Sequence, residues 1–451
     1  MQYRKPVVTS ILGMIILCLV TWNVSKAQTQ DSLQVLTLEN AINIGLQNNY
    51  SIRIARNEEA ISVNNYSLGN AGFLPDVVTT AGRSKRIEDS KQVFSGSGIP
   101  SRTSSNAQTT NSNASTNLNW TVFDGFKMFT TYDKLKELNQ LGRSQTRAEV
   151  ESSVAQIIVA YNNIIQQQKT LNVLENTLEV SDQRIQIAET KKDLGSGSEY
   201  DLLQARTDYN ADKAAVIRQK VTLNNAKILL TRLMGKDPTS LFRVNVTIDL
   251  DSQLSLANLR QQAMNNNVDL IIARNNQNVA KLEIKEIDAE RYPTIDLNVG
   301  YSYSKTQSGS SFFEFSRSNG LNYGVSATFD LFNGFDIDRR KQNAQIQYKN
   351  AQLALDDQKQ QLLADLSSEY TNYMQSLQLV KLEQENLQYA RQSLDIALER
   401  FKLGTIDSIE LRESQRTLID AESRLIDAQY QAKQAETELL RLSGNLVNDY
   451  R

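Results

Sequence analysis

Apolar residues recur at alternating steps of three and four along two long stretches of the chain. Each stretch runs for about 68 residues without proline, which as one helix would reach roughly 100 Å at 1.5 Å per residue. Spacing of this kind is typical of helices that pack side by side as in a coiled coil, so we interpret both stripes as core. The first stripe comprises Val150, Val154, Ile157, Tyr161, Ile164, Gln168 and Leu171, and the second Leu366, Tyr370, Tyr373, Leu377, Val380, Leu387, Leu394, Leu398 and Phe401.

Elsewhere the period changes from helical to two. In 294–305 and 321–331, aliphatic and aromatic residues alternate with small polar ones, and Leu118, Trp120 and Val122 repeat the pattern earlier in the chain. With a less regular strand near 77–85, this predicts two hairpins whose strands are about ten residues long, the length of a transmembrane β-strand. Strands of a soluble sandwich alternate in the same way and form the alternative. The Ser/Asn/Thr/Gly-rich segments 86–115 and 306–319 are predicted to be exposed loops.

The same set of elements occurs twice. Leu-Phe-Asn-Gly-Phe at 331–335 matches Val-Phe-Asp-Gly-Phe at 122–126, an offset of 209, and the register holds without a gap as far as Gly235 and Gly444. The helix openings and Pro75 and Pro293 match at an offset of 218. We therefore predict a signal peptide at 1–27, a first repeat at 28–235, a mid-height connector at 236–253, a second repeat at 254–444 and a short tail at 445–451.

The first residues indicate export. Arg4 and Lys5 precede an apolar segment, and Ser-Lys-Ala at 25–27 is a small-x-small cleavage site. The alternative, a membrane anchor, needs a longer apolar run than the one from Val7 to Val20. Lipidation of Cys18 is a minor alternative, because the residue before it is not small.

Composition excludes several kinds of chemistry. The chain has no histidine, and its only cysteine is Cys18, so His-based metal sites and Ser-His or Cys-His nucleophiles are excluded. Cleavage would leave 46 Lys and Arg against 51 Asp and Glu, which is no footprint for nucleic acid. We expect no catalytic site, cofactor or metal.

Each long helix is predicted to end in a Leu-Gly turn. Gly195 and Gly404 supply the left-handed C-cap, and Ser198 and Asp407 are placed to cap the returning helix, which spans about 35 residues. Carboxylates follow in both repeats, at Asp201 and at Glu410 and Glu413. In a symmetric oligomer these carboxylates would form rings that favour cations, whereas in one chain they would complement the helix dipole. Both interpretations stay open.

Four strands cannot close a barrel, and a bilayer does not tolerate exposed strand edges. If the strands cross a membrane, the chain must oligomerise, and three copies would supply twelve strands.

Taken in order, these features resemble the TolC family of outer-membrane efflux proteins. The resemblance rests on the signal peptide, Leu-Thr-Leu-Glu-Asn-Ala at 36–41, Pro75, Phe-Asp-Gly-Phe at 123–126 and the Leu-Gly…Asp-Leu-Leu-x-Ala tip at 194–205. It implies a membrane α+β fold: a homotrimer whose twelve-stranded outer-membrane β-barrel, four strands per chain, continues into a long periplasmic α-helical barrel. A periplasmic adaptor bound to an inner-membrane transporter would dock at the tip.

The resemblance also carries over residues. Asp201, Glu410 and Glu413 match the family's acidic positions at the periplasmic aperture. The predicted adaptor-docking tip comprises Leu194, Gly195, Leu202, Leu403, Gly404 and Leu411. One departure stands out, because Phe401 and Ile406 replace a tyrosine and an arginine that make closing contacts in the family. Arg412 is the candidate substitute.

The leading hypothesis is a passive exit duct of a tripartite efflux or type I secretion system, energised by its partners. An exported coiled-coil structural or adaptor protein without a channel is the alternative. An enzyme is disfavoured, because no carboxylates are paired in an apolar context. The sequence does not identify the cargo or the class of pump.

Overall fold

The computed structural model describes residues 35–449, apart from 94, 96, 97, 99, 241, 252 and 310–312. The predicted signal peptide, with Cys18, lies outside the described residues. The helices are α1 (Leu38–Asn48), α2 (Tyr50–Asn65), α3 (Lys127–Asp193), α4 (Glu199–Leu233), α5 (Leu256–Asn266), α6 (Val268–Ala289), α7 (Asp336–Lys402), α8 (Ser408–Ser443) and α9 (Leu446–Asp449). The strands are β1 (Val35–Leu36), β2 (Asp76–Gln92), β3 (Arg102–Asp124), β4 (Arg243–Val244), β5 (Thr294–Ser308) and β6 (Phe315–Thr328).

The two long helices have the predicted length. Helices α3 and α7 are 67 residues each, and the returning helices α4 and α8 are 35 and 36 residues. Most of the predicted stripes are buried or half-buried, with Ile157, Ile164, Leu366 and Tyr373 fully enclosed. The seams therefore form core, as the spacing predicted.

The strands are longer than predicted. They contain 17, 23, 15 and 14 residues rather than about ten, so 86–92, 102–115, 306–308 and 315–319 are strand and the loop prediction was wrong there. The reason is physical: Ser and Thr side chains in these segments pair across strands, as Thr109 Oγ1 does with Ser308 Oγ at 3.0 Å. Backbone pairing extends the ladder even where neither face is apolar.

The four long strands form one antiparallel sheet in the order β2-β3-β5-β6. Strand β3 pairs with β5, which joins the two hairpins, and β2 and β6 are left as edges. Register places Val77, Leu118, Val299 and Tyr323 side by side on one face. The other face is small and polar, with Asn117, Gly300 and Asn322 in one row. The alternation predicted from the sequence is thus a property of the whole sheet.

The helices form a row in the same order as the strands. Helix α3 packs against α2 and α4 on one side and against α6 and α8 on the other, and α7 packs beyond α6 and α8. The row therefore has α2 and α4 at one edge and α7 at the other. It carries exposed apolar side chains at both edges, among them Ile54, Ile217, Val221, Ile346, Leu353 and Ile396.

At mid-height, two asparagines join helices end to end. Asn49 caps α2 and donates its side-chain amide to Leu233 O, near the end of α4, at 2.8 Å. Asn267 caps α6 and donates to Leu442 O, near the end of α8, at 3.0 Å. The short strands β1 and β4 pair in parallel beside this level, so the strand-like piece predicted at 243–248 is a strand only at 243–244.

Among the described residues, no helix combines the length and the apolar character needed to cross a membrane.

Candidate functional site

The predicted tip consists of two helical hairpins, α3–α4 and α7–α8. Gly195 and Gly404 have φ values of +75° and +73°, the left-handed conformation that glycine adopts without strain. Ser198 accepts a hydrogen bond from the backbone N–H of Asp201 at 3.1 Å, and Asp407 accepts from the N–H groups of Ile409 and Glu410. Both predicted N-caps are confirmed.

The two hairpins contact each other across a cleft of about 1040 Å³. Lys191 Nζ donates to Phe401 O at 2.7 Å and lies 4.2 Å from the centre of the Phe401 ring. The Phe401 and Ile406 side chains are buried, together with Leu411. The two residues that depart from the family's polar contacts therefore close the second hairpin by apolar packing.

A largely buried polar cluster links the two hairpins farther along the helices, beyond Phe401 and Leu411 as seen from the turns. Arg412 of α8 donates two hydrogen bonds to the Asp212 carboxylate of α4, each 2.7 Å long. Ser181 Oγ of α3 donates to the same carboxylate at 2.5 Å. Gln415 donates to Ser181 Oγ and to Thr177 O, both at 3.1 Å. A bidentate guanidinium–carboxylate pair with supporting hydrogen bonds has fixed geometry as well as strength.

A second pair extends this cluster. Arg184 is only 1% exposed and donates two 3.1 Å hydrogen bonds to Asp208 Oδ2 and one of 2.8 Å to Ser408 Oγ of α8. The hydrogen bond to Asp212 raises the pKa of Arg412, whereas burial lowers the pKa of Arg184. We call the set Ser181, Arg184, Asp208, Asp212, Arg412 and Gln415 the latch cluster.

Most of the latch cluster was not predicted from the sequence. Arg412 was expected to substitute for lost contacts with the first-repeat aspartate Asp201. It does bind an aspartate of the first hairpin, but that residue is Asp212, three turns along α4. A signal was available, since polar Thr177, Ser181 and Arg184 are themselves spaced by four and three positions and therefore share one face of α3.

The three predicted gate carboxylates lie apart. Asp201 Oδ2 accepts from Ser198 and completes a capping box, so the dipole interpretation holds for this residue within one chain. Glu410 is exposed and pairs with Arg400 at 3.4 Å, and Glu413 is exposed one turn further along. Among the described residues, no hydrogen bond or ion pair joins these three to one another.

The predicted docking residues divide into two groups. Leu194 and Leu403 are each 77% exposed, and nothing lies within 4 Å of a Cβ built on Gly195 or Gly404. Leu202 and Leu411 are 4% and 0% exposed, because they pack in the small cores beneath the turns. In this conformation they support the tip surface and offer no side chain to a partner.

A protein-family model described as "Outer membrane efflux protein" matches residues 41–236 and 259–445. The chain belongs to the outer membrane efflux protein family. The two matched segments cover most of the chain and together include both tips and both hairpins of the sheet.

Individual relatives and one solved structure agree with this assignment. The chain is 22% identical to the outer membrane protein TolC of Escherichia coli K12 over 63% of this chain and 59% of that protein. It is 20% identical to the proteases secretion protein PrtF of Dickeya chrysanthemi over 92% of this chain and 89% of that protein. The crystal structure of the outer membrane protein VceC of Vibrio cholerae superposes with a TM-score of 0.72 at 17% identity, covering 90% of this chain and 96% of that one.

The resemblance to TolC-type efflux proteins is therefore confirmed. Family membership establishes an outer-membrane protein that extends into the periplasm and serves as an exit duct for efflux. Solved channel proteins share this helical and β-stranded build, among them CusC and the outer-membrane channel OprN, with TM-scores of 0.73 and 0.71.

Proposed function

We propose that three copies of the chain close into one continuous tube that conducts cargo without chemistry of its own. The observation that carries the proposal is that both layers are open at matching edges. Strands β2 and β6 end the sheet, and α2 with α4 and α7 end the row of helices, in the same order. An exposed strand edge is not tolerated in a bilayer, so each β2 would pair with a neighbour's β6.

Head-to-tail pairing of this kind forms a ring if the rotation closes. With four strands per chain, three copies give twelve strands, an even number within the range of outer-membrane barrels. The exposed apolar side chains on α4 and α7 would pack together at the same seam. The twelve-stranded barrel and the periplasmic helical barrel would then share one axis.

The chain is proposed to consist of two tandem copies of one unit, at 28–235 and 254–444, with 236–253 as connector. Support comes from the recurring order of two helices, two strands, a long helix and a returning helix. The family model also matches two separate segments. The paired asparagines Asn49 and Asn267 make the same contacts in the two copies.

The tip is proposed to be the gate. In the trimer, Asp201, Glu410 and Glu413 would form rings that favour cations, and the latch cluster would hold the α7–α8 hairpin against α3–α4 when the duct is closed. Cargo passage would require the Arg412–Asp212 bonds to break. Energy for that step would come from a periplasmic adaptor and an inner-membrane transporter rather than from the duct.

The adaptor is proposed to dock at the exposed turns, with Leu194, Gly195, Leu403 and Gly404 as the contact surface. The supporting observation is the exposure of both leucines beside open glycine turns. Leu202 and Leu411 would act from beneath by fixing the shape of that surface.

The experiment that tests the duct is reconstitution of the purified protein in detergent and in planar bilayers. We expect a heat-resistant trimer with stable single-channel conductance. A water-soluble monomer without conductance would overturn the duct and favour the exported structural or adaptor protein.

Replacing Leu194 and Leu403 with Gln should abolish site-specific cross-linking to the adaptor in cells and leave conductance unchanged. Undiminished cross-linking would overturn the docking assignment.

A further inference from the structure

The sheet face that carries Val77, Leu118, Val299 and Tyr323, here called the aromatic face, also carries a row of basic residues across neighbouring strands. Register aligns Arg83 with Ser112, Ser112 with Lys305, and Lys305 with Arg317, so three of the four strands contribute a cation to the same row. Lys85 follows on the same face one row further out. We call Arg83, Lys85, Lys305 and Arg317 the basic girdle.

No carboxylate shares this face with the girdle over the paired stretch from Val77 to Ile87 and across its partner strands. Among the described residues, none of the four girdle side chains forms an ion pair. Lys305 Nζ lies 5.5 Å from the centre of the Phe315 ring, and the Arg317 guanidinium lies 5.5 Å from that of Tyr303. The girdle is therefore positive, and two of its cations are held beside aromatic rings.

The opposite face shows a different charge pattern. Its basic residue in the same stretch, Arg86, pairs with Glu88 at 3.7 Å, and Asp296 accepts a hydrogen bond from Thr121. The cation of the small, polar face in this stretch is thus paired with a carboxylate. Uncompensated positive charge is confined to the face that carries the aliphatic and aromatic residues.

The height of the girdle matches one boundary of a membrane. Ile295 begins the apolar rows of β5 next to the helices, and Lys305 lies ten positions along the strand. At about 3.4 Å per residue and a tilt near 40°, the vertical separation is about 26 Å. The apolar band of outer-membrane barrels is about 25 Å tall. The girdle therefore falls at the headgroup level farthest from the helices, just beyond Tyr301 and Tyr303.

We propose that the basic girdle binds the phosphate groups of the anionic glycolipid in the outer leaflet. This inference rests on the proposed barrel, because only in a barrel does the aromatic face contact lipid. Guanidinium and ammonium groups at a membrane surface attract anionic headgroups, and arginine forms paired hydrogen bonds with phosphate. Three chains would present twelve such cations around the rim. The girdle would fix the depth of the trimer and retain a ring of glycolipid around it.

The test compares the wild-type trimer with the fourfold variant R83Q/K85Q/K305Q/R317Q in detergent. The probe is purified rough lipopolysaccharide, and bound glycolipid is measured by phosphate analysis after size-exclusion chromatography. We expect the variant to retain about tenfold less glycolipid. R86Q, which alters the opposite face, should retain as much as the wild type. Equal retention by wild type and fourfold variant would overturn the proposal.

Two further measurements identify the source of the phosphate and separate folding from binding. Dephosphorylated glycolipid should bind wild type and variant equally, and inorganic phosphate should not displace the intact glycolipid. Displacement by inorganic phosphate would overturn the lipid assignment in favour of free phosphate. The double variants R83Q/K85Q and K305Q/R317Q should each lose part of the binding while keeping heat-resistant trimers and wild-type conductance. Failure of the wild type itself to trimerise would refute the duct rather than the girdle.

Discussion

The tips of the α3–α4 and α7–α8 hairpins share a backbone but use their carboxylates differently. In the first tip, Asp201 is engaged in a capping box, and Asp208 and Asp212 are engaged with Arg184 and Arg412. In the second tip, Asp407 performs the capping, which leaves Glu410 and Glu413 exposed. The carboxylates of the first hairpin thus hold the tip together, whereas those of the second present negative charge to solvent.

Position within a repeat therefore does not determine the role of a carboxylate. Its partners do. Asp201 and Glu410 occupy equivalent positions, 209 residues apart, yet Asp201 accepts hydrogen bonds from Ser198 in a capping box, whereas Glu410 is exposed and pairs with Arg400. The first hairpin is therefore expected to set the stability of the closed tip, and the second to set its selectivity.

Replacing Asp212 with Ala should produce the largest effect. It leaves Arg412, whose side chain is 14% exposed, without its carboxylate. Breaking a fully buried pair costs about 3–5 kcal/mol, so we expect a loss near the lower end of that range. We expect the hairpins to separate, which would raise single-channel conductance and accelerate amide hydrogen exchange in 177–212 and 401–415. Conductance and exchange like those of the wild type would contradict the latch cluster.

The matched control for that variant is Arg391→Gln. Arg391 pairs with Glu422 at 2.9 Å, but this bond joins α7 to α8 within one hairpin. Conductance should not change. The charge-reversal double variant Asp212→Arg/Arg412→Asp should bring conductance part of the way back to the wild-type value, because the ion pair is reversed rather than removed.

Replacing both Glu410 and Glu413 with Gln should weaken cation selectivity several-fold, because exposed carboxylate rings act directly on permeating ions. Asp201→Asn should change selectivity less, since that carboxylate is held by Ser198. The measurement is the reversal potential in a salt gradient across a planar bilayer. Equal effects of the two changes would erase the distinction between the tips, and no effect of the double change would refute the gate assignment.

Removing either helix cap should cost about 1 kcal/mol. Ser198→Ala frays the start of α4 and Asp407→Ala the start of α8, and thermal unfolding followed by circular dichroism at several denaturant concentrations would register each loss. The second is expected to be the larger, because Asp407 accepts two backbone hydrogen bonds and Ser198 accepts one. The reverse order would show that the capping box compensates for the weaker acceptor.

The smallest effect is expected at Glu151, whose equivalent in the second repeat is Gln360. Burial raises the pKa of Glu151 despite its bond to Arg147. The folded state therefore keeps this proton to higher pH than the unfolded state, and stability falls as pH rises from about 4.5 through the raised pKa. Glu151→Gln should remove part of that decline.

The check for Glu151 is a set of melting curves between about pH 4 and pH 7 for the wild type and the Gln variant. The melting temperature of the Gln variant should increase relative to that of the wild type as pH rises. Glu436, whose pKa is also raised by burial, is unchanged in both proteins and accounts for a residual slope. Parallel curves would contradict an ionisation at residue 151.

The sequence could predict the elements whose signal is local and strong. The long helices follow from uninterrupted stripes such as the one through Ile157 and Ile164, and the caps follow from Ser198 and Asp407 next to glycine turns. The strands at 102–115 escaped prediction because Ser, Thr and Asn favour loops by local preference. Only pairing with β2 and β5 makes them strand.

The candidate site was predictable in position but not in its contacts. The Leu-Gly turns located the tip, and the burial of Leu202 and Leu411 beneath it depends on packing that the pattern alone did not resolve. The partner of Arg412 depends on how α4 and α8 are rotated about their axes relative to each other. Asp212 and Arg412 are 200 residues apart in the sequence. No local pattern specifies such a rotation.

The asparagines at mid-height have a mechanical consequence. Because Asn49 and Asn267 each tie the start of one helix to the end of another, the wall is articulated rather than made of unbroken rods at these two places. Bending at such a joint disturbs a single side-chain amide and leaves the backbone ladders on either side intact. Helices α3 and α7 run unbroken through the same level, so a swing of the lower hairpins would have to bend these two helices, whereas α2 and α6 would be uncoupled from it at the asparagine joints.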